Sequence, residues 1–250
     1  MLIKKPFKKG MRPSIAPYYA TVGVVGPPSF TWRAQPITSS AGQTEVLPSF
    51  SIGAGSVQQA LFISLVNAQV AGTATVSSIT VVTSPSTNSQ NFTIDTNNGL
   101  HLTTLVAHCL ITAATDTSAV VTINWSSNPF VKSNVSAWTA PASGFNSLTP
   151  TGASSVHSAS ATVFNTTLAT TASGFVLLGT GNNVTAAQSV AFSGTESYSV
   201  PVGYTNGVVG SIFQAVADTH GTTIGTNASN SVTATYGVAG AGSLSVAAWR

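Results

Sequence analysis

The sequence predicts an all-β protein: an antiparallel, jelly-roll-like β-sandwich of two sheets, preceded by an extended, proline-rich, basic N-terminal arm. Three observations lead to this prediction. Short runs alternate between apolar and polar residues along most of the chain, which is the period of a half-buried strand. The charged helix formers Glu, Lys and Arg are scarce, since all charged residues together make up 5% of the chain. No window carries a sustained apolar stripe at helical spacing.

The composition is that of a folded chain with very few charges. Of its 250 residues, 43% are apolar, which is enough for a sizeable core and excludes an intrinsically disordered protein. The charged fraction of 5% compares with about 25% in an ordinary soluble domain, and Ser and Thr take the place of the missing charges. No apolar stretch reaches the length of a membrane helix, so we expect no membrane association.

The first 40 residues are predicted to form an extended docking arm outside the sheets. Five of the eight Lys and Arg residues lie within the first twelve positions, and six of the twelve prolines lie within the first 36. Proline fixes φ and favours an extended chain. The residues expected to dock on a partner are basic or aromatic: Lys4, Lys5, Phe7, Lys8, Lys9, Arg12, Tyr18 and Tyr19.

Two other interpretations of the arm are weaker. The rest of the chain has three basic and five acidic residues, a sum of −2, so there is no basic patch of the kind that binds nucleic acid across a folded surface. A signal peptide is a poor match, because Pro17, Tyr18 and Tyr19 interrupt its apolar region and Pro27 and Pro28 follow it.

Residues 41–250 are predicted to form the sandwich domain. In residues 120–125, for example, Val121, Ile123 and Trp125 would face one side of a strand. Strands are predicted at residues 60–66, 73–82, 100–112, 119–125, 160–168, 174–179, 207–217, 231–236 and 243–249. Residues 139–155, rich in Pro, Gly, Ser and Thr, are predicted to be a long loop. That loop either divides two small sandwiches or projects from a single one.

The order of these segments resembles a β-sandwich domain of structural proteins of tailed bacteriophages and prophage regions. The segments that carry the resemblance are QALFISLV (59–66), TVSSITVV (75–82), LHLTTLVAH (100–108), SAVVTINW (118–125), LATTASGFVLLG (168–179), SVTATY (231–236) and AAWR (247–250). The resemblance covers residues 44–250, rests on strand order and composition, and favours a single sandwich. It implies a virion structural protein of the capsid, neck or fibre type.

Residues that could perform chemistry are few. Asp218 and His220 are the only close acid–histidine pair in the sequence, and they lie in a Gly- and Thr-rich segment, where loop residues are the simpler interpretation. His101 and His108 would face opposite sides of one strand, as would His108 and Cys109. We therefore expect no enzymatic activity, no metal and no cofactor.

The four tryptophans could instead form a platform that stacks on sugars, although on strands such residues are more often core or interface anchors. Trp138, beside the predicted long loop, is the candidate ligand contact.

The sequence favours a non-enzymatic virion protein that decorates a capsid, neck or tail and is attached through its arm. Its expected partners are other virion proteins and further copies of itself in an oligomer or array. A host-surface glycan is a further candidate partner, and nucleic acid is disfavoured. The alternative is a secreted or surface carbohydrate-binding or adhesin module.

Overall fold

The computed structural model describes residues 30–35, 42–53, 56–67, 74–98, 102–129, 133–184, 188–201, 207–209, 212–219 and 224–250. Within these residues it contains sixteen strands and one short 3₁₀ turn, Ala142–Gly144, and every strand pair is antiparallel. The predicted class, an antiparallel β-sandwich, is confirmed. The strands are β1 (Thr31–Ala34), β2 (Thr44–Val46), β3 (Phe50–Ser51), β4 (Gln59–Asn67), β5 (Val76–Ser84), β6 (Ser89–Asn91), β7 (Thr93–Asn98), β8 (Thr103–Ile111), β9 (Ser118–Trp125), β10 (Ser133–Pro141), β11 (Gly152–Thr170), β12 (Phe175–Asn182), β13 (Val190–Gly194), β14 (Gly207–Val209), β15 (Ile212–Asp218) and β16 (Asn227–Trp249).

These strands form three sheets, one more than the sequence suggested. The central sheet has the order β1-β10-β4-β8-β7, and the first outer sheet has the order β2-β9-β5-β6, with β3 also paired to β9. The third sheet, called here the folded sheet, has the order β11-β16-β12-β15-β14, with β13 paired to β16. The first two sheets place β4-β8-β7 opposite β9-β5-β6, a Greek-key connectivity of the kind found in immunoglobulin-type sandwiches.

The central and first outer sheets enclose one core through alternating side chains. In β9, Val121, Ile123 and Trp125 are buried while the residues between them are half-buried, as the sequence predicted. They pack against the face of β4 that carries Leu61, Ile63 and Leu65 and against the corresponding face of β8. This is the two-residue period of a strand with one face in the core.

The folded sheet bends back on itself and encloses a second core. The hydroxyl oxygens of Ser154 and Thr166, both in β11, are 2.5 Å apart, whereas a straight strand would separate these residues by about 40 Å. Close approach at the bend requires glycine, because a Cβ at position 242 would lie 2.6 Å from Cζ of Phe164. Phe164 and Tyr236 meet edge-on inside, with ring centroids 5.8 Å apart.

The central sheet is covered on both faces, because the folded sheet packs on the side opposite the first outer sheet. All nine residues of β4 are buried, and Phe62 packs against Phe175 and Trp249 of the folded sheet. Hydroxyl groups join the two sheets: Oγ1 of Thr104 lies 3.0 Å from Oγ of Ser243 and 2.9 Å from Oγ of Ser245. Buried Ser and Thr therefore belong to the packing between sheets as well as to the surface.

Two predicted boundaries need correction. The arm was expected to stay outside the sheets up to residue 40, yet Thr31–Ala34 form edge strand β1, paired with β10. Residues 29–35 contain no proline, so this short window can contribute to a hydrogen-bonded ladder. The long loop expected at 139–155 is shorter, because β10 extends to Pro141 and β11 begins at Gly152.

Candidate functional site

The residues predicted to dock on a partner, Lys4, Lys5, Phe7, Lys8, Lys9, Arg12, Tyr18 and Tyr19, lie outside the described residues. The structure does describe the root of the arm, where it joins the sandwich. This root and the surface beside it form the candidate site.

Phe30 anchors the root in the aromatic cluster between the central and folded sheets. Its ring centroid lies 5.1 Å from that of Phe62 and 3.7 Å from that of Phe175, and the side chain is buried. Burying a side chain of this size contributes about 1.5–3 kcal/mol. The arm therefore joins the sandwich at a fixed point of the fold.

Arg33 holds the next part of the chain. Its Nε donates a hydrogen bond of 2.6 Å to Oγ1 of Thr139 in β10. The guanidinium lies over Gly53, where a Cβ would be 2.4 Å from Nη2 of the arginine. Burial lowers the pKa of Arg33. β1 is thus fixed by its ladder, by a buried ring and by a side-chain hydrogen bond.

A pocket of about 520 Å³ opens beside the same aromatic cluster. Phe145 connects the two, because its ring centroid lies 5.4 Å from that of Phe62 and 5.8 Å from that of Phe175. The pocket wall is mainly apolar, with Gln58 and Ser143 as its polar members, and its apolar residues are Val57, Leu110, Ala142, Phe145 and Leu148. Its size is that of pockets that hold small ligands or peptide side chains.

Trp138 is not at the surface, so the ligand contact expected for it is not provided by this fold. The side chain is 0% exposed, and its Nε1 donates a hydrogen bond of 2.8 Å to Oδ2 of Asp218 in the folded sheet. Trp125 and Trp249 are also fully buried, and Trp32 is half-buried. Trp138 is a core anchor between two sheets, which was the simpler interpretation of its sequence position.

Asp218 and His220 were interpreted as loop residues, but Asp218 is the last residue of strand β15, and His220 lies outside the described residues. Asp218 is 2% exposed and accepts the indole hydrogen bond of Trp138. Its position is that of a buried structural acceptor.

A different acid–histidine pair, which the sequence analysis missed, joins β7 to β8. Nδ1 of His108 lies 2.9 Å and 2.8 Å from the two carboxylate oxygens of Asp95. Asp95 sits at an irregularity in the β7–β8 register between Ile94 and Thr96, which brings its side chain onto the histidine. Burial raises the pKa of Asp95, while the hydrogen bond and the charge of His108 act in the opposite direction.

The surroundings of this pair are aromatic. The imidazole centroid of His108 lies 6.2 Å from the ring centroid of Phe62 and 6.0 Å from that of Trp249. The thiol of Cys109 belongs to the core on the other face of the sheet, as the strand alternation predicted, and burial raises its pKa. His101 lies outside the described residues. The contacts of Asp95 and His108 are those of a hydrogen-bonded pair that joins edge strand β7 to β8.

The described residues contain no group of three or more His, Cys, Asp and Glu side chains placed to hold a metal ion. No helix among them has the length and apolar character needed to cross a membrane. The chain matches no known protein family, no curated protein and no solved structure.

Proposed function

We propose that the protein is a non-enzymatic structural component of a tailed-bacteriophage virion, located on the capsid, neck or tail. In this proposal its N-terminal arm attaches it to other virion proteins, and the sandwich forms the exposed surface. Further copies of the chain in an oligomer or array, and a glycan of the host surface, are additional partners within the proposal.

The main support for the proposal is the contrast between a basic, proline-rich arm and a folded body with very few charges. The basic, proline-rich residues 1–29 lead directly into Phe30, which is held between two sheets. A proline-rich segment loses less conformational entropy on docking than a flexible one. A rigid root lets a partner that binds residues 4–19 hold the whole sandwich in place.

The body supports a structural role through its packing. Its three sheets stack with three apolar cores, and the hydroxyls of Thr104, Ser243 and Ser245 form hydrogen bonds between the central and folded sheets. A carbohydrate-binding module, the alternative from the sequence, is less supported, because Trp125, Trp138 and Trp249 are buried and cannot stack on a sugar.

The proposal is tested by asking whether the protein is in particles. Virions released by the bacterium that encodes the chain are purified through two density gradients, and their proteins are quantified by mass spectrometry. We expect the chain to co-purify at a constant ratio to the major capsid protein. Its secretion from cells that release no particles, together with its absence from the particles, would contradict the proposal.

A further inference from the structure

The pocket beside the arm root is an apolar surface with no occupant among the described residues. Val57 at its rim is 43% exposed, and Leu110, Phe145 and Leu148 are half-buried. Exposed apolar residues gathered around a concavity mark a place where an apolar segment binds.

The register of β1 places its N-terminal end next to this pocket. Thr31 pairs with Thr139 and Trp32 with Trp138, and the two strands are antiparallel. The N-terminal end of β1 therefore lies beside the C-terminal end of β10, and Ala142 and Ser143 follow β10 directly. Ala142 and Ser143 line the pocket.

The sequence of the last part of the arm suits an apolar wall. Residues 22–28 read VGVVGPP and contain no charge. Proline-rich segments bind aromatic-lined grooves because they are already extended, so little conformational entropy is lost. An extended chain covers at most about 3.3–3.6 Å per residue. Residue 24 is six residues before Phe30, and the rings of Phe30 and Phe145 both contact Phe62, so the reach is sufficient.

We propose that residues 22–28 of the same chain dock into the pocket formed by Ala142, Ser143, Phe145 and their neighbours. The same chain is the occupant because the tether keeps its local concentration in the millimolar range for a short link, above that of another molecule. Docking would direct the basic residues 4–12 away from one fixed end of the sandwich. Docking of residues 22–28 goes beyond the proposed attachment by the arm. Only its biological purpose rests on that proposed function.

The test uses the full chain with a pair of introduced cysteines. Val24→Cys is combined with Ser143→Cys, and the control combines Val24→Cys with Ser193→Cys, an exposed position on the folded sheet. The natural Cys109 is buried and is common to both variants. Under mild oxidation, we expect the first pair to form an intramolecular disulfide on the order of tenfold faster than the control. Equal rates would overturn the proposal.

Mixing the two single variants, Val24→Cys and Ser143→Cys, identifies the source of the segment. If the mixture forms linked dimers as fast as the double variant forms its internal disulfide, a second copy supplies the arm and the proposal is wrong. We expect dimers to form on the order of tenfold more slowly.

Hydrogen exchange gives a second measurement that needs no disulfide. We expect the amides of residues 22–26 to exchange on the order of tenfold more slowly than in a peptide of residues 1–29. Ser143→Arg should remove this protection, and Ser193→Arg should leave it unchanged. Exchange at the peptide rate in the natural chain would overturn docking, whereas arm-dependent incorporation into particles could still be observed.

Discussion

The hydroxyl oxygen of Ser64 occupies the place that a side chain at position 179 would need: a Cβ on Gly179 would lie 1.8 Å from it. Ser64 belongs to β4 of the central sheet and Gly179 to β12 of the folded sheet. This contact sets how closely the two sheets approach, and it explains why both residues are small.

Gly179→Ala should therefore destabilise the protein by about 1–3 kcal/mol, the usual cost of overpacking a core. In a Ser64→Ala background the nearest atom is the Cβ of residue 64, at 3.2 Å, so the cost should fall by about 1 kcal/mol or more. Chemical denaturation of the four proteins of this double-mutant cycle measures the coupling. The same cost in both backgrounds would show that the two residues do not limit the sheet spacing.

The arm root should contribute much more to stability than the residues before it. A chain lacking residues 2–29 should unfold near the temperature of the full chain. A chain lacking residues 2–35 loses Phe30 and β1, and loss of a buried Phe costs about 3–5 kcal/mol. Its apparent Tm should fall by on the order of 10 °C, as measured by circular dichroism or calorimetry. Equal Tm values for the two truncations would contradict the description of β1 as part of the fold.

Trp138 and Asp218 should act as a structural pair between two sheets. Trp138→Phe removes the indole donor from a buried carboxylate and should cost about 1–3 kcal/mol. Asp218→Asn keeps an oxygen that can accept the bond and should cost less. The control is Trp32→Phe, at a half-buried edge position. A Trp138→Phe variant as stable as the control would argue against the pair.

Asp116 should make stability sensitive to acid. Burial acts to raise the pKa of this carboxyl, but the hydrogen bonds that it receives from Ser86 and Thr83 outweigh burial, so its pKa is lowered. The Oδ1 atom accepts the backbone N–H of Ser86 at 2.8 Å, and Oδ2 accepts its hydroxyl at 2.5 Å. Because its pKa is lower in the folded than in the unfolded protein, ionised Asp116 stabilises the fold at pH values above its unfolded pKa of about 3.9. This stabilisation is lost as the pH falls through the folded pKa.

Asp116→Asn is the matching variant because it cannot ionise. At pH 7 its free energy of unfolding should be about 1–3 kcal/mol below that of the natural chain. This difference should shrink as the pH falls below about 4. Denaturation at a series of pH values checks this. A deficit that stays constant from pH 7 to pH 2 would mean that ionisation of Asp116 does not contribute.

The sequence predicted those strands whose side chains alternate. β9 matched closely because one face is buried and the other half-buried. β10 was missed, since four of its nine residues are Ser, Asn or Thr and yet eight of the nine are buried. A strand covered on both faces has no alternation to detect, and the small residues that permit close packing also look like surface residues.

Contacts between strands were harder to predict than the strands themselves. The pairing of Asp95 with His108 depends on an irregular register between β7 and β8, which composition does not reveal. β1 was missed because prolines lie on both sides of it, although the alternation of Phe30 and Trp32 was a usable signal. The burial of Trp138 depends on a third sheet, whose packing on the central sheet no local pattern encodes.

Attachment to a virion through the arm is tested by counting the copies of the protein per particle. Phages encoding either the full chain or a chain lacking residues 2–29 are purified, and the protein is quantified against the major capsid protein by mass spectrometry. A third phage, with Lys4, Lys5, Lys8 and Lys9 changed to Glu, tests the contribution of charge. We expect full occupancy for the natural chain. The truncated chain should be soluble and folded but reach less than about a tenth of that occupancy. The charge-reversed chain should reach a reduced level. Full occupancy of the truncated chain would show that the arm does not attach the protein to the particle.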